Sequence, residues 1–198
     1  VRIISGNAVS LTDANAIVLG NAGGASAVSG NLTVVANGAI SQLTALPVAG
    51  TTTLTAGAAN NITLTTATNA FTGGIRIVSG KDVSLTNNLA TVMGNAGGSS
   101  SVSGALTVNS AGNVTQAGLL TVSGATTIGS SGTSADILLS SYNNVLNGSV
   151  SFTGASIRDI ALKNATTGST ADSLPAAGLR NLTLTEASAS SVSIGSGT

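Results

Sequence analysis

The feature that most constrains the fold of this chain is a long internal repeat. Residues 1–56 align without a gap to residues 75–130, with about half of the positions identical. VRIISGNAVSLTDANAIVLGNAGGASAVSGNLTV faces IRIVSGKDVSLTNNLATVMGNAGGSSSVSGALTV. A third, more diverged copy opens at GSVSFTGASIRDIALKNATTGST (148–170). The period is about 74 residues, giving super-repeats of approximately 1–74, 75–147 and 148–198 within one continuous segment, 1–198. A fixed period of this kind marks stacked units that bury their apolar faces against one another.

The period divides into three coils, each opening at a glycine: 30–49, 50–72 and 73–103, then 104–123, 124–147 and 148–177. A partial coil (1–29) precedes them and a last coil (178–198) follows, so about eight coils are expected. Each coil reads as three short strands. First strands are LTVV (32–35), TTLT (52–55), IRIV (75–78), LTVN (106–109), TTIG (126–129), VSFT (150–153) and LTLT (182–185). Second strands include AISQ (39–42), NITLT (61–65), VSLT (83–86), NVTQ (113–116), DILLS (136–140), IRDIAL (157–162) and SVSIG (191–195). The third strands, such as ATVMG (90–94), are less regular.

Apolar residues alternate with Thr, Ser and Asn, which buries one strand face and solvates the other. Leu32, Leu54, Ile75, Leu106, Ile128, Val150 and Leu182 are expected in one internal ladder. Ile40, Ile62, Val83, Val114, Ile137, Ile160 and Val192 are expected in a second. Gly and Asn fall at corners, where a positive φ is cheap. No stretch keeps a helical period with caps, so no helix is expected. The reading is an all-β, parallel β-solenoid, right-handed by the crossover rule. A β-sandwich also has many evenly spaced short strands; the near-exact repeat argues against it. Phe71, Phe152 and Tyr142 are expected to fill corners or cap a ladder of an otherwise aliphatic interior.

The recurring phrases G-N-L-T-V, A-I-S-Q, T-T-T-L-T-A-G, N-I-T-L-T-T and G-x-x-V-S-L-T resemble the repeats of filamentous-haemagglutinin-type proteins. These are large bacterial exoproteins and adhesins with right-handed β-helix stems. The resemblance covers essentially the whole chain and implies an extracellular or cell-surface scaffold. The family's N-terminal secretion domain is not recognisable in this sequence. The chain opens at Val1 and reads as a piece of a longer protein.

Composition narrows the chemistry. Six Lys+Arg balance six Asp+Glu, only 6% of residues are charged, and there is no Cys or His. That removes disulfides, thiol nucleophiles, His-based acid–base work and the usual zinc sites. A neutral chain lacks the basic surface that tracks nucleic-acid phosphates. No apolar run approaches a membrane-spanning helix of ~18 residues. The acids Asp13, Asp82, Asp136, Asp159, Asp172 and Glu186 do not pair at i, i+2 on one strand, though a cross-coil carboxylate pair stays open. Arg158–Asp159 and Lys81–Asp82 read as local charge balance, and Arg2 and Arg76, at equivalent positions, as solvated side chains. Serines lack an evident base. No catalytic residue, cofactor or metal ligand is expected, and the chain is not expected to be an enzyme. The T-x-T pairs at Thr51/Thr53, Thr53/Thr55, Thr63/Thr65 and Thr183/Thr185 do not recur on every coil, as an ice-binding face needs. Six N-x-S/T sequons, at Asn31, Asn61, Asn113, Asn147, Asn164 and Asn181, suit glycosylation only where an exporting compartment supplies the enzyme.

The loops GNAGGASA (20–27) and GNAGGSSS (94–101) lack the Lys and the helix of a phosphate cradle. They lengthen every third coil, with KNATTGSTADS (163–173) in the same place in the third copy. They are expected to project from one edge of the rod, and loops carry contacts more often than scaffolds do. Asn21, Gly23, Gly24, Asn95, Gly97, Gly98 and Asn164 are therefore the candidate contact residues. The expected role is a structural stalk or filament segment of a bacterial surface adhesin. The partners would be neighbouring coils, or further copies end to end or side by side, with host or matrix glycans as a further option. A subunit of a non-covalent filament and a carbohydrate-binding solenoid stand as alternatives.

Overall fold

The computed structural model describes residues 1–166, 171–174 and 179–187. Its strands are parallel and wind into a β-solenoid of about seven turns, with no helix among the described residues, in keeping with the right-handed sense expected. Three faces carry the winding. The first stacks Val9–Asp13, Leu32–Ala36, Thr52–Thr55 and Ile75–Ser79, then Ser100–Val102 and Leu120–Val122. The second stacks eight strands, from Ile17–Leu19 through Ile40–Gln42, Ile62–Leu64, Val83–Asn87, Leu106–Ser110, Thr126–Ser130 and Val150–Thr153 to Ala171–Ser173. The third pairs Pro47–Val48 with Ala70–Phe71 and then stacks Thr91–Met93, Val114–Gln116, the start of Ala135–Leu146, Ile157–Asn164 and Asn181–Glu186; at its corner Met93 also pairs with Ile75 of the first face. The long strand Ala135–Leu146 turns a corner, pairing with Val114–Gln116 at one end and Leu120–Val122 at the other.

The pairing corrects the expected coil count per repeat. The expected coil 73–103 holds four strands, Ile75–Ser79, Val83–Asn87, Thr91–Met93 and Ser100–Val102, rather than three. Hence Val9–Asp13 lies on the first face, while its copy Val83–Asn87 pairs with Ile62–Leu64 on the second. Ile17–Leu19 lies on the second face, and its copy Thr91–Met93 lies on the third. One sequence repeat therefore advances three full turns plus one further face. The last expected coil, with Val192 and Ile194, falls mostly outside the described residues.

The inward residues are those expected, but the ladders differ. Leu32, Leu54 and Ile75 share the first face, whereas Leu106, Ile128 and Val150 stack on the second and Leu182 on the third. The second face carries an in-register column of Ile17, Ile40, Ile62, Val83, Leu106, Thr126 and Val150. Beside it run Leu64, Leu85, Val108, Ile128 and Phe152. Each buried aliphatic side chain contributes about 1.5–3 kcal/mol, so stability grows turn by turn. Phe71 and Phe152 are buried as expected, while Tyr142 is partly exposed.

Glycine opens the coils for a different reason from the one expected. Among the described residues the positive-φ glycines are Gly20, Gly24, Gly57, Gly94, Gly98 and Gly154, and none of the coil-opening glycines described is one of them. Gly50 N–H donates to Gly30 O at 2.9 Å, and Gly124 N–H to Gly104 O at 2.9 Å. A Cβ on Gly124 would lie 2.7 Å from the Gly104 carbonyl carbon. The turns approach too closely there for any side chain.

Buried asparagines fix the other corners. Asn69 Oδ1 accepts Leu46 N–H at 2.9 Å and Gln42 Nε2 at 2.7 Å; its Nδ2 donates to Gln42 Oε1, Leu64 O and Thr86 O. Asn144 repeats the set with Leu120 N–H, Gln116, Leu139 O and Lys163 O. These pairs use both glutamines of the chain.

Candidate functional site

The glycine-rich loops are built alike in both copies. In the first, Asn21 Oδ1 accepts Gly23 N–H at 2.8 Å and Gly24 N–H donates to Asn21 O at 3.1 Å. In the second, Asn95 Oδ1 accepts Gly97 N–H at 2.8 Å and Gly98 N–H donates to Asn95 O at 3.1 Å. Gly24 and Gly98 have φ of 124° and 122°, a backbone that favours glycine. Asn95 is 8% exposed and its Nδ2 donates to Thr53 Oγ1 at 3.2 Å, whereas Asn21 is exposed. Gly23, Gly97 and Gly98 are exposed and Gly24 is half-buried.

The equivalent arginines clasp these loops instead of standing free in solvent. Arg76 Nε donates to Ser99 O at 3.1 Å, and Arg2 Nε to Ala25 O at 3.4 Å. A Cβ on Gly97 would lie 3.1 Å from Arg76 Nη1, and one on Gly98 would lie 3.3 Å from Nη2. The Gly-Gly pair is thus the floor on which the guanidinium lies. The sequence carries only a co-occurrence: Arg2 and Arg76 each stand 18 residues ahead of a GNAGG phrase, which by itself does not put them in contact.

The two loops do not share an edge of the rod. Residues 20–27 join the second face to the third, and residues 94–101 join the third to the first. The extra strand in each repeat moves the loop to the next corner. In the third copy, residues 167–170 of the corresponding segment lie outside the described residues.

Asn164 belongs to the interior, not to a contact loop. It is 1% exposed; its Oδ1 accepts Leu146 N–H at 3.0 Å and its Nδ2 donates to Leu146 O at 3.1 Å. Asn87 holds Phe71 in the same way, at 2.9 and 3.0 Å. In each case the side-chain amide stands in for a missing strand partner.

Three sequon asparagines act as rungs between turns. Asn31 Oδ1 accepts Thr51 N–H at 2.9 Å, Asn61 Oδ1 accepts Asp82 N–H at 3.2 Å, and Asn113 Oδ1 accepts Asp136 N–H at 2.9 Å. An Asn, an inward aliphatic residue and an outward Thr spell a sequon as a by-product of this corner.

The charged side chains form a staircase on the third face. Arg158 pairs with Asp136 one turn back, not with its sequence neighbour Asp159: Nε donates to Oδ1 at 2.9 Å and Nη2 to Oδ2 at 2.5 Å. Arg180 grips Asp159 through the same two nitrogens, and Asn181 Nδ2 adds a bond at 3.0 Å. Asp136 and Asp159 are register partners on neighbouring turns, but each carboxylate is held by its own arginine rather than by the other acid. Hydrogen bonding to Arg180 holds the Asp159 carboxyl below its usual range, which makes it a poor proton donor near neutrality. Lys81 and Asp82 make the expected surface pair at 3.9 Å. Among the described residues no three acidic side chains gather as a metal cage.

A family model described as repeats of unknown function (DUF5649) matches residues 6–78 and again residues 80–153. No curated protein and no solved structure matches the chain.

Proposed function

We propose, for a chain that belongs to the family of repeats of unknown function (DUF5649), that its work is mechanical. The chain is read as a stiff spacer within an extracellular stalk or filament of a bacterial surface or secreted adhesin-like protein. The reading includes the absence of any enzymatic activity. Its partners are the neighbouring turns and further copies of the same fold. What carries the reading is the unbroken second face. Its first seven strands follow one another in parallel register over an aliphatic column, and glycine and asparagine corners tie each turn to the next. Such a stack resists bending because every turn is hydrogen-bonded to its neighbours along the whole axis. A surface that is almost uncharged, with Ser and Thr alternating outward, suits a rod that keeps its distance from other charged molecules. The resemblance of the repeat phrases to filamentous-haemagglutinin-type stems supports the location.

The test is protease shaving of intact cells of the native source, followed by mass spectrometry. Peptides cut at the exposed residues 96–99 and released without lysis are the expected result. Peptides released only after lysis overturn the extracellular assignment.

A further inference from the structure

A groove of about 540 Å³ runs along the corner where the second-face strands end. Its lining spans several turns, from Thr86 and Asn88 through Asn109 and Gly129 to Thr153 and Ser156. No charged and no aromatic side chain lines it. Its floor is rigid, because Ser110 Oγ donates to Leu89 O at 2.9 Å and Ser130 Oγ to Gly112 O at 2.9 Å. Its rim is different: the amides of Asn88 and Asn109 and the hydroxyls of Thr86, Thr153 and Ser156 have no protein hydrogen-bond partner among the described residues.

Thr86, Asn109, Gly129 and Thr153 are outward neighbours in register. Gly129 adds no side chain to this column, and its backbone lies buried beneath its neighbours. A Cβ there would lie 2.6 Å from Thr153 Oγ1 and 2.9 Å from Asn109 Oδ1, so these two side-chain oxygens converge over the covered Gly129 backbone. In the first copy the equivalent residues are Val35 and Thr55, again in register. An amide beside a glycine thus replaces an aliphatic residue beside a threonine, in a chain that otherwise keeps about half of its repeat positions.

We propose that this groove binds an uncharged linear polysaccharide along the solenoid axis. Amides and hydroxyls offer donors and acceptors in nearly equal number, which is what sugar hydroxyls require. A lining without cations does not favour an anionic glycan or a nucleic acid. A chain of repeating units suits a site whose polar groups recur at the strand spacing of ~4.8 Å. The inference goes beyond the spacer role and does not depend on it.

The test is calorimetric titration of the chain with cellohexaose, laminarihexaose, maltohexaose and mannohexaose, with heparin as the charged control. Binding of at least one neutral hexasaccharide, without competition from heparin, is expected. Asn109→Val with Gly129→Thr transplants the first-copy residues, which the strand already accommodates at equivalent positions. Asn109→Val removes the Asn109 amide from this space, and the Thr153 hydroxyl can rotate aside for the new Cβ. This variant is expected to keep its unfolding midpoint and to lose affinity by about tenfold or more. Thr153→Val, a same-shape change, should weaken binding in the same direction. No binding by the parent chain at millimolar sugar, equal binding by both variants, or displacement by heparin overturns the proposal.

Discussion

Thr52 and Thr126 occupy the same position of the sequence repeat, on different faces of the solenoid, and each buries its side chain completely with no partner for the hydroxyl. Thr52 lies in register between Leu32 and Ile75, and Thr126 between Leu106 and Val150. Each hydroxyl interrupts an aliphatic column and gains no hydrogen bond in return. Burying a hydroxyl without a partner costs about 1–3 kcal/mol in protein mutational series. Valine has nearly the same shape. Thr52→Val and Thr126→Val should each stabilise the chain by about 1 kcal/mol, and the pair should be close to additive because the sites are well separated. Denaturant unfolding followed by circular dichroism reads this directly. A lower midpoint for either variant would show that the hydroxyl has a partner after all.

Asn144 is the opposite case. Its one side chain satisfies Leu120 N–H, Leu139 O and Lys163 O and pairs with Gln116 in both directions. Asn144→Leu keeps approximate volume but leaves several buried backbone groups without partners. The expected loss is about 3 kcal/mol or more, since each orphaned group costs about 1–3 kcal/mol. Asn69→Leu should behave alike, because its bonds are the same set one copy earlier. Hydrogen exchange should localise the damage: the Leu120 amide loses protection in the first variant and the Leu46 amide in the second.

Much of this architecture was legible in the sequence. Alternation identified the inward residues, Leu54, Ile62, Leu85 and Ile137 among them, because a half-buried strand leaves that pattern whichever face it lies on. The same indifference hid the phase. Ile75–Ser79 and Val83–Asn87 carry the same alternation, so nothing local says that they lie on different faces. The four-strand stretch from 75 to 102 therefore has, in sequence, the look of one coil with a long loop. The Gly-rich loops were legible as insertions. Their arginine clasp was not, because Arg76 and Ser99 meet only through the winding, at a separation of 23 residues. Asn164 was misread because asparagine usually marks an exposed turn, whereas here its amide replaces a strand partner.

The Arg–Asp staircase makes a prediction about acid. Arg180 depresses the Asp159 carboxyl in the folded chain, so the folded state binds this proton less readily than the unfolded state does. The stabilisation is fully present above the unfolded value of about 3.9 and is lost as pH falls through the depressed folded value. The parent chain should therefore lose stability below about pH 4, by a modest amount because Arg180 is largely exposed. Asp159→Asn should be the less stable chain at pH 7. The difference should shrink as the pH approaches about 2. Denaturant midpoints for both proteins at the two pH values give the comparison, and a gap that widens in acid contradicts the assigned pairing.

The glycine corner separates two explanations that the sequence alone confuses. If Gly124 were needed for a left-handed backbone, asparagine would be the substitution best tolerated there, and alanine would be strained by its φ. Its φ is not in that region, and the obstacle is the Gly104 carbonyl carbon, 2.7 Å from where a Cβ would stand. The obstacle is backbone, fixed by the Gly124 N–H bond to Gly104 O, and cannot swing aside. Every side chain should therefore be refused, asparagine no better than alanine. Gly124→Ala and Gly124→Asn should both destabilise, by about 1–3 kcal/mol for the overpacked contact. Gly57, with φ of 82° and a Cβ position that meets only the Asn60 amide at 3.6 Å, should instead show a preference, with asparagine tolerated better than alanine. The four unfolding midpoints, ranked within each pair, decide between close approach and backbone conformation at each corner.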